Sequence, residues 1–235
     1  MVKLSERLSI VFNMIDECQC LADVGCDHGY LSIAAVQSGK AKTALAMDIN
    51  QGPLDKALEH ITEYGLTSSI TTRLSDGLNK INVGEADAIA ICGMGGKLMA
   101  RIITDGFDVA KEASFLIVEP QSDLAEFRQA ISDLGFEILD EELISEQNKF
   151  YPIMKISFKG VGKVSPLSEA ELIYGPFILK KKPVLLSALI NKDKELYLSL
   201  LSSLEIQKAN KPSSSVDDRI KEVCHMLEVI NEITI

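Results

Sequence analysis

Leu21-Ala22-Asp23-Val24-Gly25-Cys26-Asp27-His28-Gly29-Tyr30-Leu31 is the stretch whose reading decides the fold. A short apolar run ends in an acid and a glycine, passes through a polar turn and resumes as an apolar helix. That is a strand–loop–helix corner. Gly25 lets a ligand approach the backbone closely, and the N–H groups opening the next helix favour an anionic group. Outward from the corner the pattern repeats. Thr43–Ile49 reads as a second strand ending in Asp48, and Pro53–Tyr64 as a helix with Leu54, Leu58 and Ile61 on one face. Ile70–Leu74 is a third strand, followed by Asp76-Gly77. Ala86–Cys92 is an uninterrupted apolar fourth strand running into Gly93-Met94-Gly95-Gly96 and a helix over Lys97–Thr104. Phe115–Val118 is a fifth strand, with Leu124–Leu134 as its helix. Ahead of the corner, Ser5 is placed to cap a helix whose Leu8, Val11, Phe12 and Ile15 keep helical spacing. Apolar strands alternating with helices predict an α/β fold, its parallel sheet covered on both faces.

The pattern then changes. Phe136–Ile144 and Phe150–Phe158 are strand-like and joined by Glu146-Gln147-Asn148-Lys149, a hairpin and not a crossover. Pro152 confines the second run to a sheet edge, or itself to that run's first residues. Gly160-Val161-Gly162 marks the expected boundary between a domain of residues 1–160 and a second of 161–235. In the second, Leu185–Lys208 is a leucine-rich helical stretch, broken at residues 210–214. Another helix starts at Ser215 with Ile220, Val223, Leu227 and Ile230 along one face. Such helices are marginal alone and are expected to pack as an antiparallel hairpin of coiled-coil character.

At 235 residues, 46% hydrophobic and 25% charged, the chain has the composition of a folded soluble protein. No apolar run approaches the roughly 20 residues of a membrane span. Its start lacks the basic-then-apolar order of a signal peptide, so a cytoplasmic location is expected. The five cysteines (18, 20, 26, 92 and 224) show no C-x-x-C spacing and read as reduced thiols, with no metal site. A net charge of −10 argues against nucleic acid, but its distribution does not. Residues 147–194 hold nine lysines against three acids, a net +6, and the rest of the chain carries −16. Such a stretch either attracts phosphates or is a solubilising surface.

Asp23, Asp48 and Asp76 each close a strand-like run. Three carboxylates on successive strand ends suit S-adenosylmethionine, whose ammonium and ribose hydroxyls each meet an acid. A dinucleotide fits less well. The glycines run Gly25-x-x-x-Gly29 and not G-x-G-x-x-G, and Asp27 stands where a pyrophosphate would pass. The expected fold class is therefore a Rossmann-like class I methyltransferase domain with a C-terminal helical hairpin. The Gly93–Gly96 loop permits close approach of a flat base, or is simply a tight strand-to-helix turn. It carries no Asn/Asp-Pro-Pro-aromatic signature, and no Pro-Cys nucleophile is present. Cys92 reads as packing. His28 and Tyr30 lie beside the corner as candidate substrate contacts.

The set Asp23–Leu31, Asp48-Ile49-Asn50, Asp76-Gly77 and Gly93–Gly96, with the terminal helical hairpin, resembles the bacterial TrmK family. Its members are tRNA (adenine-N1)-methyltransferases acting on adenine 22 in the D-loop region. The resemblance spans nearly the whole chain and is strongest over residues 20–158. It implies cofactor binding by Asp23, Gly25, Cys26, Asp27, His28, Gly29, Asp48, Ile49, Asn50, Asp76, Gly77, Gly93, Met94 and Gly95. Asp27 and Tyr30 are the candidate catalytic residues. Lys149, Lys155, Lys180, Lys181, Lys182 and Arg128 are the candidate tRNA contacts, most of them within the basic stretch. One departure stands out: where the family pattern leads one to expect Gln-Pro-Asn, this chain has Glu119-Pro120-Gln121, so no base contact is assigned to that loop. Two other classes stay open from sequence: a methyltransferase of a small molecule or protein, and a non-catalytic RNA- or partner-binding module on the same fold.

Overall fold

The computed structural model describes residues 2–233. A break after Pro166 divides the chain into two compact units. The first begins with helix α1 (Glu6–Met14), capped by the Ser5 hydroxyl accepting from the Leu8 N–H. The Lys40 ammonium donates to the carbonyls of Phe12, Asn13 and Ile15, at 2.7–3.1 Å, and so holds the far end of α1. Strands β1 (Cys18–Val24), β2 (Ala41–Asp48), β3 (Ile70–Leu74), β4 (Ala88–Met94) and β5 (Phe115–Pro120) are parallel. Helices α2 (Tyr30–Ser38), α3 (Gln51–Glu63), α4 (Gly96–Asp105), α5 (Phe107–Glu112) and α6 (Leu124–Asp133) fall between and after them. The antiparallel pair β6 (Phe136–Glu146) and β7 (Lys149–Phe158) completes a seven-stranded sheet of order β3-β2-β1-β4-β5-β7-β6. β5 is buried along its whole length, as a central strand covered on both faces must be.

Two local expectations change, for the end of β4 and for the Gly160–Gly162 boundary, and the choice left open for Pro152 is made. β7 is an inner strand with Pro152 near its start, and β6 is the edge. The sheet tolerates the proline because pairing of β7 with β5 stops at Met154, so Pro152 has no β5 neighbour needing its missing N–H. β4 continues past Cys92 through a bulge to Met94, leaving Gly95 as the whole linker to α4. The Gly160–Gly162 segment stays with the first unit, because the Lys159 and Gly160 N–H groups donate to the Gly135 carbonyl.

The second unit opens with two short helices that hydrophobic periodicity did not reveal, α7 (Glu169–Tyr174) and α8 (Pro176–Lys181). Ser168 and Glu171 form a reciprocal capping box on α7, and Pro176 occupies the first turn of α8. Helices α9 (Val184–Asn210) and α10 (Ser214–Glu232) run antiparallel, since Lys194 reaches Asn231 and Lys208 reaches Asp217. Leu204, Val216, Val223 and Leu227 form their shared core. The buried Tyr174 hydroxyl donates to Asp193 at 3.1 Å, fastening α7 to α9.

Candidate active site

The carboxyl ends of β3, β2, β1, β4 and β5 lie in a row, and the strand order reverses between β1 and β4, where open α/β sheets take ligands. There a cavity of about 500 Å³ opens. Asp23, Gly25, Cys26, Asp27, His28 and Tyr30 line it from the corner, and Cys92, Gly93, Glu119 and Gln121 from the next two strand ends. Lys3, Ser5, Arg7, Leu8 and Val11 close it from the N-terminal side, a contribution that no motif in the sequence announced.

Asp23 is buried at the tip of β1 and accepts from both the Ser32 hydroxyl (2.8 Å) and the Ser32 N–H (3.3 Å). Burial pushes its carboxyl up to about 6, the Ser32 bonds oppose that rise, and the charge of Asp48 adds to it. Cys26 is pushed higher than an ordinary thiol by burial and then by Asp23 and Asp48. Cys92 is likewise raised well above the usual thiol range by burial and Glu119. Both thiols therefore stay protonated at neutral pH, and among the described residues all five cysteines are free. Gly25 adopts φ +77, a left-handed backbone that L side chains rarely adopt, and the Met94 methyl lies where its Cβ would be.

Asp27 also has positive φ (49°) and an exposed side chain, with Oδ2 3.5 Å from His28 Nε2. Tyr30 stacks on His28 at 5.6 Å between ring centroids and on His60 of α3 at 4.9 Å. His60 Nδ1 in turn lies 3.0 Å from the His28 carbonyl oxygen. His28 Nδ1 is buried without a hydrogen-bond partner among the described residues. His60 was missed from sequence, as a single histidine on an amphipathic helix carries no distinguishing signal.

Gly29, at the N-cap of α2, has no side chain to cap the helix, and of the first-turn N–H groups that of Ser32 donates to Asp23. Asp48 accepts from the Asn50 N–H at 2.8 Å, shaping the turn after β2, and Ile49 and Asn50 are exposed. Asp76 is half-exposed after β3, 3.8 Å from Arg101. These groups stand at the β2 and β3 ends of the row and not among the residues lining the cavity. Gly77, at φ +55, packs against Ile102 so closely that a Cβ would lie 2.9 Å from Cγ2, so its role in the fold is packing. Met94 and Gly95 belong to the bulged end of β4 and the turn into α4, outside the cavity wall.

The expected tRNA contacts divide. Lys149 and Lys180–Lys182 are exposed. Two expectations are corrected. Arg128 is completely buried and ion-paired to Glu141, Nη2 to Oε1 3.0 Å and Nε to Oε1 3.1 Å, where no phosphate reaches it. Lys155 is largely buried, paired with Asp16 and set over the Phe115 ring at 4.5 Å. Lys159 is likewise paired, with Glu137 at 2.6 Å. Part of the basic stretch is thus neutralised within the first unit.

Chemically, the cavity places Asp23, Asp27 and Glu119 around one space beside the start of α2, where Gly29 supplies no capping side chain, an environment for a ligand carrying both a cation and a carboxylate. Among the described residues no group of three or more His, Cys, Asp or Glu side chains is arranged to hold a metal ion, and no helix is long and apolar enough to cross a membrane.

Comparisons agree with this geometry. A family model described as a methyltransferase domain matches residues 4–154. The tRNA (adenine(22)-N(1))-methyltransferase of Bacillus subtilis is 30% identical over 99% of this chain and 97% of its own. The crystal structure of the B. subtilis m1A22 tRNA methyltransferase TrmK superposes with a TM-score of 0.88 at 30% identity, covering 99% of each chain. A Streptococcus pneumoniae structure in complex with S-adenosyl-L-methionine matches with a TM-score of 0.82 at 28% identity, over 98% of this chain and 99% of that one. With its Rossmann-like sheet, its cavity at the β1–β4 reversal and its terminal helix pair, this chain belongs to the TrmK family of tRNA (adenine(22)-N1)-methyltransferases.

Proposed function

We propose that this protein methylates N1 of adenine 22 in the D-loop region of tRNA, with S-adenosylmethionine as the donor. The single observation that carries the reading is the acid-lined cavity of about 500 Å³ at the strand-order reversal, flanked by stacked aromatic rings. S-adenosylmethionine supplies an electrophilic methyl group on a positively charged sulfur. Asp23 suits its ammonium, the N–H groups at the Gly29 end of α2 suit its carboxylate, and Asp48 at the tip of β2 suits its ribose hydroxyls.

Adenine N1 carries a free lone pair, so the chain need not remove a proton. It must hold an unstacked base in line with the methyl group. The Tyr30–His28 stack gives a flat wall for that base. Asp27, exposed and negative, stabilises positive charge as it moves onto the purine. The exposed lysines at the end of α8 and Lys149 at the start of β7 serve as phosphate contacts, which position RNA without reading its sequence. In this reading the first unit binds the donor and contributes Lys149, the second unit supplies the other tRNA contacts, and the enzyme works in the cytoplasm with its substrate.

The test is methyl transfer from labelled S-adenosylmethionine to unmodified tRNA transcripts, with nucleoside analysis of the product. N1-methyladenosine, lost when adenine 22 is replaced by guanine, is the expected result. Donor binding without incorporation into competent, folded transcripts would move the assignment to a small-molecule or protein substrate. Absence of donor binding would point to a non-catalytic module.

A further inference from the structure

We propose that Glu119 reads the target base, its free oxygen Oε1 accepting a hydrogen bond from the 6-amino group of adenine as N1 is methylated. This rests on the function proposed above. Glu119 lies near the end of β5, its side chain only 2% exposed, yet it lines the cavity. Its two oxygens are used unequally. Oε2 accepts from the Gly93 N–H at 3.0 Å, a bond created by the β4 bulge. Oε1 has no hydrogen-bond partner among the described residues. The nearest cation, Arg7 Nη1, stands at 3.6 Å, outside hydrogen-bond reach. Arg7 is also drawn toward Glu146 at 3.8 Å and lies over the Tyr151 ring at 4.7 Å, so it covers Oε1 without a directional bond to it.

A buried carboxylate oxygen left without a donor is costly, and in a ligand cavity it is a place for the ligand's own N–H. Two ligand groups offer one: the donor's ammonium and the purine's amino group. Strand order separates them. The acids suited to S-adenosylmethionine end β1 and β2, whereas β5 lies on the other side of β4 from β1. Glu119 therefore faces the half of the cavity left for the base. Burial raises its carboxyl above the ordinary range, while Arg7, the Gly93 N–H and the Gln121 side chain favour the anion.

The chemistry gives this contact a role beyond binding. The N1 lone pair forms the new bond to carbon, the carbon–sulfur pair stays with sulfur, and no proton leaves. Positive charge then spreads across N1, C6 and the 6-amino nitrogen, making that N–H a stronger donor in the transition state than in the ground state. A carboxylate there favours turnover over binding. Guanine would present a carbonyl oxygen to the same carboxylate, an acceptor facing an acceptor, so the contact also selects adenine.

Single-turnover methylation of tRNA carrying adenine or unsubstituted purine at position 22 tests this, with donor affinity measured by calorimetry. Glu119→Gln keeps an acceptor and the Gly93 bond but loses the charge. It is expected to slow methylation of the adenine substrate about 10-fold, and Glu119→Ala about 100-fold, with donor affinity within about 2-fold of wild type. Wild type should be slowed comparably by the purine substrate, on which neither substitution should cost more than about 2-fold. Equal losses on both substrates would overturn the proposal. Weakened donor affinity would also overturn it, assigning Glu119 to the ammonium. Failure of wild type to methylate either tRNA would instead sink the functional reading beneath it.

Discussion

At the scale of the residue, Asp23 shows a binding site built at the expense of the fold. Its carboxyl titrates near 6 in the folded protein against 3.8 ordinarily, worth about 3 kcal/mol. Between those two values the folded chain holds more proton than the unfolded one. This carboxyl therefore destabilises progressively as pH rises from about 4 to 6, and the penalty is complete above that. Asp23→Asn should raise the unfolding free energy at pH 7 by about 2–3 kcal/mol, an advantage that fades by pH 4 in denaturant titrations. It should also weaken donor binding. In wild type, the donor dissociation constant should be flat above pH 6 and rise about 10-fold per pH unit below it, as the anion is lost. A pH-independent constant in wild type would show that the ionised carboxylate is not what the donor meets.

At the scale of elements, two features hold the antiparallel end of the sheet. The buried Arg128–Glu141 pair ties α6 to β6. Removing one member leaves the other charge stranded, so Arg128→Ala should cost about 3–5 kcal/mol in chemical denaturation. Because Arg128 is inside, the same variant, where still folded, should bind tRNA with the salt dependence of wild type. A changed salt slope would return Arg128 to the surface role expected from sequence. The β6–β7 turn is the second feature. Gln147 and Asn148 both have positive φ (50° and 61°), the geometry of a two-residue hairpin turn favouring Asn-Gly. Substituting Gln147→Asn with Asn148→Gly should raise stability by about 1 kcal/mol, read as a shift in denaturation midpoint at unchanged slope. The hairpin was legible in sequence, as the polar Glu146–Lys149 break between strand-like runs, but its tightening to two residues was not. The order of the strands was not, because Pro152 allowed either an edge strand or a place at the start of an inner one, and only the length of β5 shows why the inner position tolerates it.

At the scale of the whole molecule, an enzyme of net charge −10 must meet a polyanion, so its accessible cations matter more than its total. Lys180, Lys181 and Lys182 are exposed together at the end of α8. Reversing all three to Glu should weaken tRNA binding and lower the magnitude of its log–log salt slope by about 2–3, leaving donor affinity unchanged. Unchanged tRNA affinity would mark the run as a solvated face. Sequence alone determined the alternating strand–helix order, the Asp23–Leu31 corner and the paired terminal helices. Those features are local: apolar periodicity, caps and glycine turns fix them within a few residues of chain. Only the tertiary structure decided that Lys155 and Lys159 are neutralised, because Asp16 and Glu137 pair with them from distant parts of the sequence. Tertiary structure alone also brought Arg7, His60 and Glu119 to the corner, since strand order and helix packing are set by burial across the whole chain, which no local pattern encodes.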